Sequence, residues 1–412
     1  MPEGRLLGAD FVRASACVLV LLHHLAQRMS HDADMGAMEW LRTFVHLGGY
    51  GVAAFFVLSG YLLARPFWQA LATGQSMPSL GTYTLRRAAR ILPGFWLALT
   101  VTFVLSFTVF GATLDGELIL RYLAGALTLA DWHWLTFFPV EVNPPLWSIS
   151  FEVTAYLLLP PAFALIFAIA AWLKHRWLLP LLWVLVLGLA LAAHWLFMML
   201  YPIDEARRGW EFGLVGGAKF WMPRYNPFAF FAMFAIGAWA AGLQVMWLKS
   251  RSFVFDLIAL VAMAWIVERL AARLPLGWDD LYGLGIPYDF PWFVLPLGVF
   301  LAVSPSTILL GRVLDNPAIR YVARISFGIY IWHYLLLEAV QTFLFPELAL
   351  WTATDRTSFT VGIAAVTLSS VIAAHLSYEW LEAPVIRWAR SIETPAVRRD
   401  IGSTKVSSAG LS

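Results

Sequence analysis

Ten apolar runs, each about as long as a membrane-spanning helix, dominate this sequence. They cover residues 7–27, 48–66, 91–110, 150–172, 177–200, 227–247, 253–272, 290–309, 324–345 and 358–381. A helix needs roughly 20 mostly apolar residues to cross a bilayer. The composition agrees, because 60% hydrophobic and 13% charged residues leave too few polar side chains to cover a soluble protein of 412 residues. The pattern predicts an all-α, polytopic integral membrane protein with about ten transmembrane helices.

Two apolar segments need a separate interpretation. The stretch 118–135 is short, so we expect it to be interfacial or re-entrant. The first run has a short basic region before it, contains Asp10 and Arg13, and lacks a small-residue cleavage site before Gln27. These features are not typical of a signal peptide, and we expect a retained first helix.

The distribution of Lys and Arg predicts the orientation. With the N-terminus inside, the cytoplasmic segments carry clearly more cations than the outside segments, as positive-inside topology requires. The loop 201–226 is an exception, because its four cations lie outside, accompanied by three acids. We expect both termini in the cytoplasm, a transmembrane domain over 1–388, and a disordered cytoplasmic tail over 389–412.

Polar groups share one face of the first helix. Arg13 and His24 are eleven residues apart, about 20° beyond three full turns, and lie about 16 Å apart along the axis. Asp10 and Cys17 lie on the same face. This stripe indicates a lined cavity. The alternative is that Arg13 snorkels to the inner interface and the histidines sit in the outer one.

Short motifs along the chain resemble those of the membrane acyltransferase 3 family. The segment "DFVRA…LLHH" resembles the family's D-x-x-R-x10-H signature. Further motifs follow in family order over about 1–388: "GVAAFFVLSGYLL" (51–63), "LRRAARILPGFW" (85–96), "NPPLWSISFEVTAYLLLP" (143–160), "RISFGIYIWHYLL" (324–336) and "EWLEAPVIR" (379–387). One departure is at Ala53, near which many members carry an acid.

This resemblance implies a plasma-membrane (inner-membrane) enzyme. It would move an acyl group, usually acetyl, from cytoplasmic acyl-CoA to a hydroxyl of an extracytoplasmic acceptor, typically a cell-surface glycan. A macrolide-like small molecule is an alternative acceptor. A transporter or flippase fits the composition equally well, but no related halves or paired broken helices are evident. Neither a nucleic-acid partner nor a metal is expected; with Cys17 as the single cysteine, a multi-cysteine metal site is excluded.

His24 is the candidate general base, since it matches the family's histidine and since imidazole titrates near neutrality. His23 points to another face. Glu152 is expected at a similar depth, where its carboxylate would orient His24 as the third group of a triad does. The alternative is an interfacial Glu152 that faces water.

A second group of residues is expected to bind the acyl-CoA. The guanidinium group of arginine can donate two parallel hydrogen bonds to a phosphate group of this donor. The candidates are Arg13, Arg86, Arg87 and Arg90, with Ser59, Tyr330 and His333 at other depths along a polar path. Arg86, Arg87 and Arg90 could instead serve topology alone, and His333 could be a core histidine.

Several residues remain without a firm role. Cys17 could take the acyl group covalently, but a packed small residue is the favoured interpretation. Glu382 is expected to cap or pair at the inner end. His194, Glu268, Glu338 and His375 match no motif.

Overall fold

The fold is a bundle of helices. A computed structural model describes residues 7–28, 47–273, 282–346 and 356–392. Within these ranges the α-helices are α1 (Ala9–Ala26), α2 (Tyr50–Thr73), α3 (Leu80–Thr108), α4 (Gly116–Ala126), α5 (Trp147–Ala170), α6 (Leu179–Leu200), α7 (Gly213–Trp221), α8 (Pro227–Met246), α9 (Phe253–Arg273), α10 (Val294–Val303), α11 (Leu310–Val313), α12 (Pro317–Leu344) and α13 (Arg356–Ser377). The same ranges contain no β-strand.

All ten predicted runs coincide with helices, but not all of these are clear spans. In the described ranges, seven helical segments are long and apolar enough to cross a membrane. They are Ala9–Ala26, Leu47–Thr73, Leu80–Thr108, Pro144–Ala170, Arg176–Leu200, Pro227–Met246 and Thr360–Ile392. Helix α9 carries Asp256, Glu268 and Arg269, and α10 is only 10 residues long. The protein is therefore a multi-pass membrane protein, and the predicted count of about ten is supported only in part.

Two boundaries differ in detail from the sequence predictions. The segment 118–135 overlaps α4, whose 11 residues span about 16 Å, about half a bilayer core. After α13, a π-helical turn over Tyr378–Glu382 leads into a helix that continues to Ile392. The predicted tail therefore begins too early, because residues 389–392 are helical, and 393–412 lie outside the described residues.

Helices α2 and α8 form the centre of the bundle and are its most buried spans. A Cβ on Gly60 would collide with the carbonyl of Phe234, and one on Gly237 would collide with the carbonyl of Val57. Glycine at both positions lets the two backbones touch, as small residues do in membrane helix pairs. This close contact between α2 and α8 fixes the position of the part of α2 that carries Ser59.

Helix α1 packs against α2 on one side and α12 on the other. Its polar stripe therefore faces protein rather than lipid. Cys17 is buried on this stripe, and its thiol donates a 3.6 Å hydrogen bond to the carbonyl of Ser326. The stripe predicted from periodicity thus faces α12, which carries Tyr330 and His333.

A buried arginine connects α4 to the loop before α5. Arg121 donates to the carbonyl of Phe138 from Nε at 2.7 Å and to that of Val140 from Nη2 at 3.4 Å, and it pairs with Glu141. Its side chain is almost completely buried. This loop leads to Trp147, so Arg121 fixes the start of α5.

Arg121→Leu is expected to lower the free energy of unfolding by about 2–4 kcal/mol, because two carbonyls and a carboxylate lose their donor. Thermal unfolding of the purified protein in detergent measures the change. Arg312→Leu, at an exposed position, is the matched control and should shift the melting temperature little. An equal shift in both variants would contradict the anchoring role.

Candidate active site

A large basic cavity opens beside the N-terminal end of α1. Its volume is about 1320 Å³, and Asp10 is the one acid among its described lining residues. Eight arginines line it: Arg13, Arg86, Arg87, Arg90, Arg320, Arg324, Arg387 and Arg390. Such a concentration of guanidinium groups favours a ligand with several phosphate groups.

Several of these arginines are held in place by neighbours. Arg13 pairs with Asp10 at 3.5 Å, and Arg90 pairs at 3.4 Å with Glu382, whose side chain is 1% exposed. Arg324 lies over the ring of Tyr321, with 5.4 Å from Cζ to the centroid. Arg320 pairs with Asp315 at 3.4 Å. The described lining residues of the cavity include eight arginines and one acid, so the lining is positively charged.

The sequence prediction found four of the eight arginines. It missed Arg320, Arg324, Arg387 and Arg390. Their i,i+4 and i,i+3 spacing places each pair on one helix face, which is a detectable signal. Only the packing of α12 and the last helix beside α3, however, brings both pairs to the cavity of Arg86 and Arg87.

A narrow middle cavity of about 110 Å³ follows the basic one. Arg13, Arg87 and Arg90 line both. Ser59 and Tyr330, both predicted on a polar path, line the middle cavity as well, and so does Glu152, which was predicted beside His24.

Glu152 does not contact His24 as predicted. Its carboxylate accepts a 3.0 Å hydrogen bond from the Ser59 hydroxyl and another from the Tyr156 hydroxyl. Helix α5 begins at Trp147, after a 3-10 turn, rather than at residue 150. Glu152 therefore lies about 8 Å inside the helix, facing α2, and the predicted Glu152–His24 pair is wrong.

An aromatic cavity of about 530 Å³ lies at the other end of α1. His23 and His24 of α1 line it, together with Gln27, the residue that follows the helix. Most of its remaining wall is aromatic, with Tyr50, Phe138, Trp147, Trp210, Phe220, Trp221, Tyr225, Tyr282, Tyr288, Tyr330 and Tyr334. Val52 and Tyr330 line both this cavity and the middle one. The three cavities therefore follow one another along α1 with shared walls.

His24 forms a pair with His333 instead of with a carboxylate. Nδ1 of His24 lies 2.9 Å from Nε2 of His333, and the ring of Tyr334 packs edge-on against His24 at 5.0 Å. His333 is 1% exposed and lines none of the three cavities. Its predicted place on the donor path is therefore wrong, because it lies behind His24 in the core.

Tyr330 stands where the middle and aromatic cavities meet. Its hydroxyl donates to the carbonyl of Pro145 at 3.0 Å and lies 2.5 Å from the hydroxyl of Ser148. These contacts attach α12 to the start of α5. The ring therefore has a fixed position at the junction.

The residues that matched no motif mostly have structural partners. Glu338 pairs with Arg28, His194 lies 2.8 Å from the Asn226 amide, and His375 lies 3.2 Å from the Tyr321 hydroxyl. Glu268 is exposed on α9. Of these residues, only Glu338, with its partner Arg28, lies near His24 and His333.

The fold and the cavities define a multi-pass helical membrane protein with a basic site and an aromatic site joined by a narrow passage. A family model described as an acyltransferase domain matches residues 6–375. The chain belongs to the acyltransferase 3 family, a family of acyltransferase enzymes, as its motifs predicted.

Curated relatives agree with this assignment. The chain is 25% identical over 401 residues to the peptidoglycan O-acetyltransferase OatA of Listeria monocytogenes, covering 91% of this chain and 55% of the relative. It is 22% identical over 403 residues to the O-acetyltransferase OatA of Staphylococcus aureus, covering 92% and 57%. The acyltransferase MdmB of Streptomyces mycarofaciens is 31% identical over 158 residues, 38% of each chain.

The chain thus spans a little over half the length of the two OatA proteins. No solved structure matches it significantly.

Proposed function

We propose that the protein transfers an acetyl group from acetyl-CoA to a hydroxyl group of a glycan, with the basic cavity as donor site and the aromatic cavity as acceptor site. The observation that carries this proposal is the succession of three cavities with shared walls that ends at His24. The names of the two OatA relatives, one of them a peptidoglycan O-acetyltransferase, support acetyl as the group and glycan as the acceptor.

The donor's shape fits the basic and middle cavities. Coenzyme A has a bulky nucleotide with several phosphates and a long, thin pantetheine arm. A cavity of about 1320 Å³ has room for the nucleotide, and the guanidinium groups of its eight arginines can each donate two hydrogen bonds to a phosphate group. The narrow passage past Ser59 and Glu152 suits the arm, and Arg13 borders both parts. The positive-inside rule supports a cytoplasmic location for this cavity, and the plasma membrane is the membrane we propose.

The acceptor's chemistry fits the aromatic cavity. One face of a pyranose ring is apolar and packs on flat rings such as those of Trp210, Trp221 and Tyr225. The tyrosine hydroxyls and indole N–H groups can bond to the sugar's hydroxyls at the edges. The cavity therefore suits a sugar ring next to His24.

The transfer itself needs one base beside the acceptor hydroxyl. His24 takes the proton of the acceptor hydroxyl as its oxygen attacks the thioester carbonyl carbon. The tetrahedral intermediate then expels the sulfur of coenzyme A, and His24 returns the proton to that sulfur. The products are an acetyl ester and free coenzyme A, so the step balances without a metal or an oxidant.

Reconstitution of the full chain in proteoliposomes tests this function. Radiolabelled acetyl-CoA is added outside, and a peptidoglycan fragment or chito-oligosaccharide is enclosed inside. Alkali-labile label on the enclosed glycan is the expected result. Label that enters without forming an ester would indicate a carrier, and label found only on an added hydroxylated small molecule would indicate a different acceptor.

Val52→Phe is expected to reduce acetyl transfer by at least about 10-fold, because a larger side chain narrows the opening between the middle and aromatic cavities. Binding of acetyl-CoA at the basic cavity should remain. Val18→Phe, at a 43% exposed position on α1, is the matched control and should retain normal turnover. Full activity of Val52→Phe would mean that the acyl group does not pass through the opening beside Val52.

A further inference from the structure

His333 stands in direct contact with the proposed base but away from the cavities. The two rings have centroids 5.0 Å apart and are tilted by 35°. His333 is held on α12 and His24 on α1, two helices that pack along their length. The pair therefore has a defined geometry that comes from helix packing.

The backbone of α12 determines which nitrogen of His333 carries hydrogen. Its Nδ1 lies 2.8 Å from the carbonyl oxygen of Tyr330 and 3.1 Å from that of Ile329. Carbonyl oxygens only accept, so Nδ1 of His333 must donate. A neutral imidazole has a single N–H group, which leaves a lone pair on Nε2.

The tautomer of His333 determines that of His24. Nε2 of His333 accepts, so Nδ1 of His24, 2.9 Å away, must be the donor. The second nitrogen of His24, Nε2, is then left with its lone pair. His24 lines the aromatic cavity, where an acceptor hydroxyl would need a base.

The surroundings favour a neutral His333. Its ring is buried, and a cation there would lie directly beside His24. His23 lies 5.0 Å from His24, and Arg28, paired with Glu338, lies over the neighbouring ring of Tyr334. Glu338 is the one carboxylate in this group, and Arg28 neutralises it. A positive charge on His333 would therefore be buried without a free carboxylate in this group to compensate it.

We infer that His333 is a positioning residue that holds His24 in the tautomer with hydrogen on Nδ1 and a free lone pair on Nε2. This inference rests on the proposed function for its consequence, since the lone pair is what removes the acceptor's proton. Once His24 is protonated, its Nδ1–H bond to His333 becomes charge-assisted and stronger. His333 thus has the orienting role that the sequence analysis predicted for the carboxylate of Glu152.

A spectroscopic experiment tests the tautomer independently of activity. The full chain is labelled with ¹⁵N-histidine, placed in nanodiscs, and its ring nitrogens are observed by NMR, with His24→Ala identifying the His24 signals. We expect a protonated Nδ1 and an unprotonated Nε2 for His24. His333→Leu should weaken that preference, because His24 then loses His333 as a hydrogen-bond partner and keeps the backbone carbonyl of Val20. A protonated Nε2 on His24 in the wild type would overturn the inference.

Two variants of similar size test the effect on turnover. The amide oxygen of His333→Gln can accept from His24, whereas His333→Leu offers no acceptor. We expect His333→Leu to lower kcat by about 10–100-fold with an unchanged KM for acetyl-CoA, by analogy with the hydrogen-bond partners that orient metal-binding histidines. His333→Gln should recover most of this loss.

The outcomes separate the possible failures. Equal loss in both His333 variants, or a raised KM for acetyl-CoA, would overturn the positioning role. If the wild type shows the expected tautomer but transfers no acetyl group, the proposed function fails while the assigned tautomer stands.

Discussion

His24→Ala is expected to lower acetyl transfer by at least about 10²-fold, since a general base contributes on the order of 10²–10⁴-fold. The residue borders the aromatic cavity and is held by His333. Its loss should act on the chemical step, so acetyl-CoA should still bind in the basic cavity at the far end of α1. Turnover, acetyl-CoA binding and melting temperature of the purified protein in detergent measure the three effects separately.

His23→Ala provides the comparison for this prediction. His23 lies one residue earlier, and its Nε2 lies 3.2 Å from the amide nitrogen of Gln27. Its ring packs over Gly49 at the beginning of α2. We expect a clearly smaller loss than for His24→Ala. Equal losses, or near-normal turnover by His24→Ala, would mean that the base is a different residue.

Replacing Arg86 and Arg87 together with Gln is expected to raise the KM for acetyl-CoA by at least about 10-fold. A hydrogen bond to a charged group is worth about 1.5–3 kcal/mol, which corresponds to roughly 10–100-fold in affinity. The KM for the glycan should change little. Arg90 is left intact because it pairs with the buried Glu382, whose orphaned carboxylate would destabilise the fold.

A matched control separates ligand binding from topology. Arg65, Lys249 and Arg251 line a different cavity of about 320 Å³, outside the proposed donor site. Their predicted location is cytoplasmic as well, so the triple Gln variant removes positive charge from the same side. It should leave the KM for acetyl-CoA unchanged. Similar effects in both sets, or altered orientation of reporter fusions, would show that the cations act on insertion.

Several properties of the protein could be predicted from its sequence. The long apolar runs became helices because a run's hydrophobicity is a property of that run alone. The shared face of Arg13 and His24 followed from the helical period, and in the structure the two residues border successive cavities along α1. The family followed from motifs whose order is written in the chain.

Contacts between helices could not be predicted in this way, because the period of one helix does not determine its axial position relative to another helix. Glu152 was predicted to reach His24, but the earlier start of α5 turns it towards Ser59 on α2. His333 was predicted on the donor path, but the packing of α12 against α1 places it behind His24.

The full basic cavity needed the tertiary structure as well. The sequence alone determined that arginines gather at helix ends, and it identified the cluster in α3. Arg320 and Arg324 on α12, with Arg387 and Arg390 on the last helix, join that cluster only in the folded bundle. Like charges repel, so no local preference brings them together. The packing of helix faces does, because their close van der Waals fit and interhelical hydrogen bonds outweigh a repulsion that water and nearby acids reduce.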